Sequence, residues 1–206
     1  MKTPKKTNLD LAEEIGIHIG DGSMNKYRNT CLYSLRGHRY DDYKYYTKFI
    51  PNFYKRIYGI KVHIRKWPDV IGFQFGSKDL VMFKHNVLGL PLGPKNSVSI
   101  PNFILKSKAL SCRCLRGIFD TDGCLTFEKK SRKLPYYPRI IISTTSKKLN
   151  EQLVEILKNT MKFNLSTWST TYNRRGWNDI HMVCIRGEKN INKWFKMIGS
   201  DNPKNI

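Results

Sequence analysis

The sequence predicts an α+β fold of two pseudo-symmetric halves, each ordered α-β-β-α-β-β-α with its strands in one antiparallel sheet. Three observations predict it. The same succession of apolar periodicities occurs twice along 206 residues, and such an internal repeat constrains the architecture before any element is placed. Strand-like stretches come in pairs between helices, which separates this class from a parallel α/β sheet. Two amphipathic helices end on the same step, Asp21-Gly22 and Asp122-Gly123, 101 positions apart. The expected halves are residues 1–100 and 101–206, with 94–106 as connector.

Residues 9–20 carry apolar side chains at helical spacing, with Asp10 as the candidate cap and Gly22 as the stop. Residues 23–37 read as a strand pair, Cys31-Leu32-Tyr33-Ser34-Leu35 being the clearer member. The pattern over 41–58 is helical, yet Pro51 lacks an N–H and crowds the preceding turn, so it should kink or split that helix. Strands over 61–67 and 70–77 flank Pro68-Asp69, and a helix over 78–88 closes at Gly89. The second half repeats the order: a helix over 107–121 stopped at Gly123, strands at 124–130 and 138–144, a helix over 146–161, strands at 164–172 and 179–186 around a turn at 173–177, and a last helix over 188–197.

Composition narrows the partner. Lys and Arg number 37 against 16 Asp and Glu, a net charge of +21. The first hundred residues hold 17 basic and 8 acidic side chains and the remainder 20 and 8, so both halves are basic. So large an excess destabilises a compact chain by self-repulsion and fits a polyanionic partner met by both halves. The five cysteines include no Cys-x-x-Cys pair and read as reduced thiols of a cytoplasmic chain. No apolar run reaches the roughly 18–20 residues of a membrane span, and no signal core follows the basic start.

The two helix ends carry the chemistry. Gly16 and Gly20 in one helix, and Gly117 and Thr121 in the other, recur at a four-residue step that lines one face with small residues. Helices packed along those faces would bring Asp21 and Asp122 together. A helix C-terminus is already partly negative, so each aspartate there loses roughly 0.3–1 kcal/mol. A hard cation such as Mg²⁺ resolves the conflict, with an anionic phosphate completing its shell. Gly22 and Gly123 suit the left-handed residue that closes a helix.

These residues resemble the LAGLIDADG homing endonucleases of the single-chain type. The stretch 115–123 matches the nine-residue signature at Leu115, Gly117, Asp120, Asp122 and Gly123; 14–22 keeps Gly16, Asp21 and Gly22. Glu14, Ile15, His18 and Arg116 depart from it, His18 reading as a structural histidine. The resemblance implies a monomeric enzyme that cuts both strands of duplex DNA at a shared site. That site would hold two or more Mg²⁺ or Mn²⁺ ions on Asp21, Asp122 and the backbone carbonyls of Gly20 and Thr121. It implies catalytic roles for Lys95 and Lys204, which follow matching Gly/Pro turns, and places His38 and Thr145 at the edge of the site. It also implies a free-standing, intron-encoded protein of the cytoplasm or an organellar matrix. The alternatives on the same scaffold are an intron-RNA maturase and a non-catalytic DNA-binding protein.

In this family the sheets form a saddle on the duplex, and alternation separates core from contact residues. Val62, Ile64, Phe73 and Phe75 would then pack inward, leaving His63, Arg65 and Gln74 on the DNA side. Tyr33, Arg36, Lys129 and Arg139 are further candidates on the first and second sheets. Ser166, Trp168, Thr170 and Tyr172 share one face, which Arg186 extends. Lys26, Arg28, Arg132, Arg174 and Arg175 lie near turns and suit phosphate.

Overall fold

The computed structural model describes residues 1–28, 30–132, 135–172 and 176–206. The first half opens with α1 (Leu9–Asp21), which runs directly into β1 (Gly22–Tyr27) and β2 (Thr30–His38). A π-helical turn (Tyr45–Phe49) leads into α2 (Ile50–Tyr58), followed by β3 (Arg65–Lys66), β4 (Val70–Gly76) and α3 (Lys78–Met82) with a π-helical extension (Phe83–Val87). A short helix, α4 (Asn102–Leu105), precedes α5 (Lys108–Asp122), β5 (Gly123–Glu128) and β6 (Tyr137–Thr144). Then come α6 (Lys147–Val154) with its π-helical extension (Glu155–Thr160), β7 (Leu165–Thr170), β8 (Ile180–Arg186), α7 (Glu188–Met197) and a closing 3₁₀ turn (Pro203–Asn205).

Both sheets are antiparallel and share one topology, β1-β2-β4-β3 and β5-β6-β8-β7. The predicted repeat is therefore present at the level of strand order. Pro51 does not split its helix: the backbone stays helical from Tyr43 to Tyr58, and Pro51 stands just after the π-helical turn, in the first turn of α2. Four further features differ from expectation. Asn8, not Asp10, caps α1 by accepting from the Asp10 and Leu11 amides at 2.8 and 3.1 Å, while Asp10 takes Arg56 and Arg113 instead. The strand expected over 61–67 shrinks to two paired residues, and α4 has no counterpart in the sequence reading. Gly22 and Gly123 are extended (φ −79° and −100°) rather than left-handed, because each helix passes straight into a strand. Glycine is needed there for space: a Cβ would overlap the His18 ring at Gly22 and the Phe119 ring at Gly123.

The seam between the halves is α1 against α5. A Cβ on Gly16 would overlap the Cys114 carbonyl oxygen, one on Gly117 the Glu13 carbonyl oxygen, and one on Gly20 the Thr121 hydroxyl. Only residues without a side chain let the two backbones touch in this way. The inner faces of the sheets bury Tyr33, Leu35, Ile71 and Phe73 in one half and Ile140, Ile142, Val183 and Ile185 in the other.

The first half also buries a polar knot beneath its sheet. Glu14 accepts Lys84 Nζ at 2.6 Å, Tyr54 at 2.6 Å and Tyr58 at 2.7 Å, and Tyr33 reaches it at 3.2 Å. A buried carboxylate with this many donors is fully compensated, which accounts for an acidic residue inside the first motif. His18 is buried and stacks on Tyr33 at 5.6 Å, a structural histidine as expected.

Candidate active site

Asp21 and Asp122 are the last residues of α1 and α5, and the touching backbones bring both to one end of the seam. Burial pushes the Asp21 carboxyl up to about 8, and the nearby Asp122 charge adds to the rise while the Tyr46 hydrogen bond opposes it. That bond, Tyr46 Oη to Asp21 Oδ2, is 2.6 Å. Asp122 is the more exposed of the two. Desolvation by the surrounding wall raises it to about 6, against the pull of Lys95 and Lys204. The Asp122 charge thus helps hold the Asp21 carboxyl up, as expected of acidic groups gathered in a desolvated place.

Both expected lysines arrive. Lys95 Nζ donates to the carbonyls of Ile19 (2.9 Å) and Gly20, and burial lowers its pKa while Asp122 and Asp21 oppose that fall. Lys204 Nζ donates to the Thr121 carbonyl at 3.2 Å. Each lysine thus occupies a lone pair on one of the two carbonyls expected to face metal. A cavity of about 270 Å³ opens beside Asp122, lined by Gly20, Lys95, Ser143 and Thr145 among others. Thr145 is therefore at the site. His38 reaches it through its backbone: its amide donates to Asp42 at 2.7 Å, while its exposed imidazole pairs with Asp41 at 3.0 Å.

Sequence reasoning missed three residues here. Asp42 is buried and accepts the Lys204 ammonium at 2.9 Å, the Asn202 amide at 2.7 Å and the His38 N–H. Asn202, also buried, spans to the Asp120 carbonyl at 2.8 Å. Tyr46 was hidden inside an aromatic-rich helix pattern. Of the three, only Asn202 carried a signal, since it belongs to the turn that pointed to Lys204. The departure at Arg116 is also explained: its guanidinium holds the C-terminal segment through the Ile198 carbonyl (2.7 Å) and Asp201 (3.3 Å). Behind the site, carboxylate oxygens of Glu13, Asp120 and Asp201 lie within 4.8 Å of one another.

The outer sheet faces are set by register. In the first half Arg36 opposes Gly72 and Ser34 opposes Gln74, with Arg65 across from Gly72, so Arg36, Gln74 and Arg65 share the outer face. Arg36 bonds Gln74 and lies 4.7 Å from the Trp67 ring. His63 is exposed but lies outside the short strand. Tyr33 must be withdrawn as a contact residue. It is fully buried, because alternation from Leu35 turns it inward, where its hydroxyl meets Tyr54 at 2.6 Å. In the second half Ser166, Trp168 and Thr170 do share the outer face with Arg139 and Arg186. Tyr172 follows that strand, its ring 5.2 Å from Trp177. Lys26, Arg28, Lys129 and Arg132 are exposed, whereas Arg174 and Arg175 fall outside the described residues.

Comparison with known proteins adds to this geometry. Residues 110–199 match the family described as LAGLIDADG-like domain. A structure of mesophilic variants of the homing endonuclease I-DmoI superposes with TM-score 0.65 at 14% identity, covering 94% of this chain and 92% of that one. I-WcaI bound to its DNA recognition sequence gives 0.58 at 18%, covering 100% and 85%. The N-terminal LAGLIDADG domain of DUF199/WhiA gives 0.57 at 15%, covering 95% and 83%. Two curated relatives come from Methanocaldococcus jannaschii. A glutamine–fructose-6-phosphate aminotransferase (isomerizing) is 25% identical and a replication factor C small subunit 28% identical, each over 204 residues. The chain spans only 17% and 10% of their lengths, so the likeness concerns a segment of each.

Proposed function

Taking as premise a LAGLIDADG-like domain at 110–199 and the homing-endonuclease fold over both halves, we propose that this chain is a site-specific double-strand DNA endonuclease. The observation that carries this reading is the convergence of Asp21 and Asp122 where two touching helices end. The solved relatives include complexes of I-DmoI with DNA and Mn and of its G20S variant with target DNA and Mg, which supports the same partner and ion class here.

The residues present fit a hard divalent ion. The donors are all oxygen, the two carboxylates resist simultaneous ionisation, and two helix C-termini add negative potential. Asp21, Asp122 and the carbonyls of Gly20 and Thr121 would hold two or more Mg²⁺ or Mn²⁺ ions. Bound there, such ions supply Lewis acidity toward a phosphodiester. The protein's own groups do the positioning. Tyr46 fixes the Asp21 carboxylate; Asp42 and Asn202 fix Lys204; Lys95 and Lys204 set ammonium charge beside the helix ends where scissile phosphate would lie. Ser143 and Thr145 offer hydroxyls to order water in the cavity. Arg36, Arg65, Gln74, Arg139 and Arg186 would read base edges in the major groove, and Lys26, Arg28, Lys129 and Arg132 would grip phosphate.

The test is selection of cleaved sequences from a randomised or genomic DNA library with Mg²⁺ or Mn²⁺. Wild type should yield one preferred duplex cut on both strands; Asp21→Asn or Asp122→Asn should bind that duplex and leave it intact. Metal-dependent cutting that survives either substitution would reject the shared site. Selective binding without cutting by wild type would favour the non-catalytic DNA-binding reading. Preferential retention of intron RNA would favour the maturase.

A further inference from the structure

Glu128 is the one carboxylate among the described strand positions on either outer sheet face. An acidic group facing a polyanion is costly, so its contacts are informative. Glu128 Oε2 accepts Arg139 Nη1 at 2.7 Å, and Glu128 Oε1 accepts Arg186 Nε at 3.3 Å. Arg139 and Arg186 are direct cross-strand partners on β6 and β8, a placement in which like charges repel. The remaining contacts complete their orientation. Arg139 Nε donates to Thr126 at 3.0 Å, Arg186 Nη1 donates to the Ser166 hydroxyl, and the Arg186 guanidinium stands 5.8 Å from the Trp168 ring. The network crosses all four strands of the second sheet. Among the described residues it takes one hydrogen from Nε and one from Nη1 of each guanidinium, leaving the second Nη1 hydrogen and both Nη2 groups as a fork for an external acceptor.

We propose that Glu128 is a specificity-positioning residue: it locks Arg139 and Arg186 side by side as a pair of forks that read two neighbouring guanines in the half-site under the second sheet. This rests on the endonuclease reading above. The carboxylate lowers overall attraction for DNA and in return fixes the orientation of two long side chains, which would otherwise splay to whichever phosphate lay nearest. Arginine addresses the O6 and N7 edge of guanine when its plane is held in register with the base pair, and a phosphate contact carries no sequence information.

The experiment compares wild type, Glu128→Gln, Arg139→Ala and Arg186→Ala against one randomised duplex library, with thermal melts of each. Expected for Glu128→Gln is continued cleavage, an about tenfold loss of base preference at neighbouring guanine positions in one half-site, and tighter binding to random duplex with a salt slope steeper by up to about one. The two arginine variants should lose preference at those same positions. A Glu128→Gln profile identical to wild type overturns the proposal, as does preference lost evenly over both half-sites or at a lone cytosine contacted by the carboxylate itself. If Glu128→Gln melts early, the arginine variants decide: loss at unrelated positions, or none, overturns it. Wild type that selects no sequence sinks the endonuclease reading; selection by wild type with an unchanged Glu128→Gln profile sinks this inference alone.

Discussion

At the scale of single residues, the site divides into what is repeated and what is not. Asp21, Asp122, Lys95 and Lys204 were legible because each has a partner in the other half, and two coincident signals outweigh the ordinary meaning of an Asp-Gly step or a lysine in a basic chain. Asp42, Tyr46 and Asn202 occur once and are placed by tertiary packing alone. Tyr33 shows the reverse error: an aromatic residue on a candidate strand, mis-sited because its register was unknown until Leu35 was seen opposite Gly22. Asp42 makes the two lysines inequivalent, since Lys204 is ion-paired at 2.9 Å whereas Lys95 is bonded to carbonyl oxygens. Asp42→Asn should therefore slow one strand more than the other, by up to about 100-fold. A supercoiled plasmid carrying the target would accumulate as nicked circle; equal slowing of both strands would argue against this role.

At the scale of elements, the four-residue step of small side chains foretold the helix seam, and the structure adds what it encloses. Glu13 on α1 is fully buried, and its carboxyl is pushed up to about 9 from an ordinary 4.5, by burial first and by sharing a proton with Asp201 second. Arg113 opposes that rise from 3.1 Å, but out of line for a hydrogen bond. Between pH about 4.5 and about 9 the folded chain then holds a proton that the unfolded chain has released, so stability falls as pH rises across that window. Glu13→Gln cannot titrate. Its melting temperature should fall less steeply than that of wild type from pH about 5 to about 9, and parallel curves would dismiss the linkage. None of this was visible in sequence, because Glu13 sits at an ordinary position on an amphipathic helix and meets Asp201 only through the fold. Boundaries failed for a related reason: the strand over 61–67 had the right composition, yet pairing partners exist for only two of its residues.

At the scale of the whole molecule, the repeat and the evenly spread charge were the strongest sequence signals, and both reappear as two sheets of one topology flanking a single seam. A net charge of +21 divided between the halves predicts binding governed by counterion release. If six to ten phosphates are engaged, affinity for the selected duplex should drop by roughly 10³–10⁵ between about 50 and about 200 mM salt. A nearly flat dependence in filter-binding titrations would contradict contact along both sheets.

The alternation of the strands has a consequence for how such a chain can change over generations. Positions such as Gln74, Thr170 and Arg186 turn away from the side chains that hold the sheets to their helices. Drift at these positions can re-address the molecule to a new locus with little loss of thermal endurance. Drift at inward neighbours such as Phe73 and Ile185 unseats the scaffold, so a lineage is free to alter its destination while its frame stays under constraint.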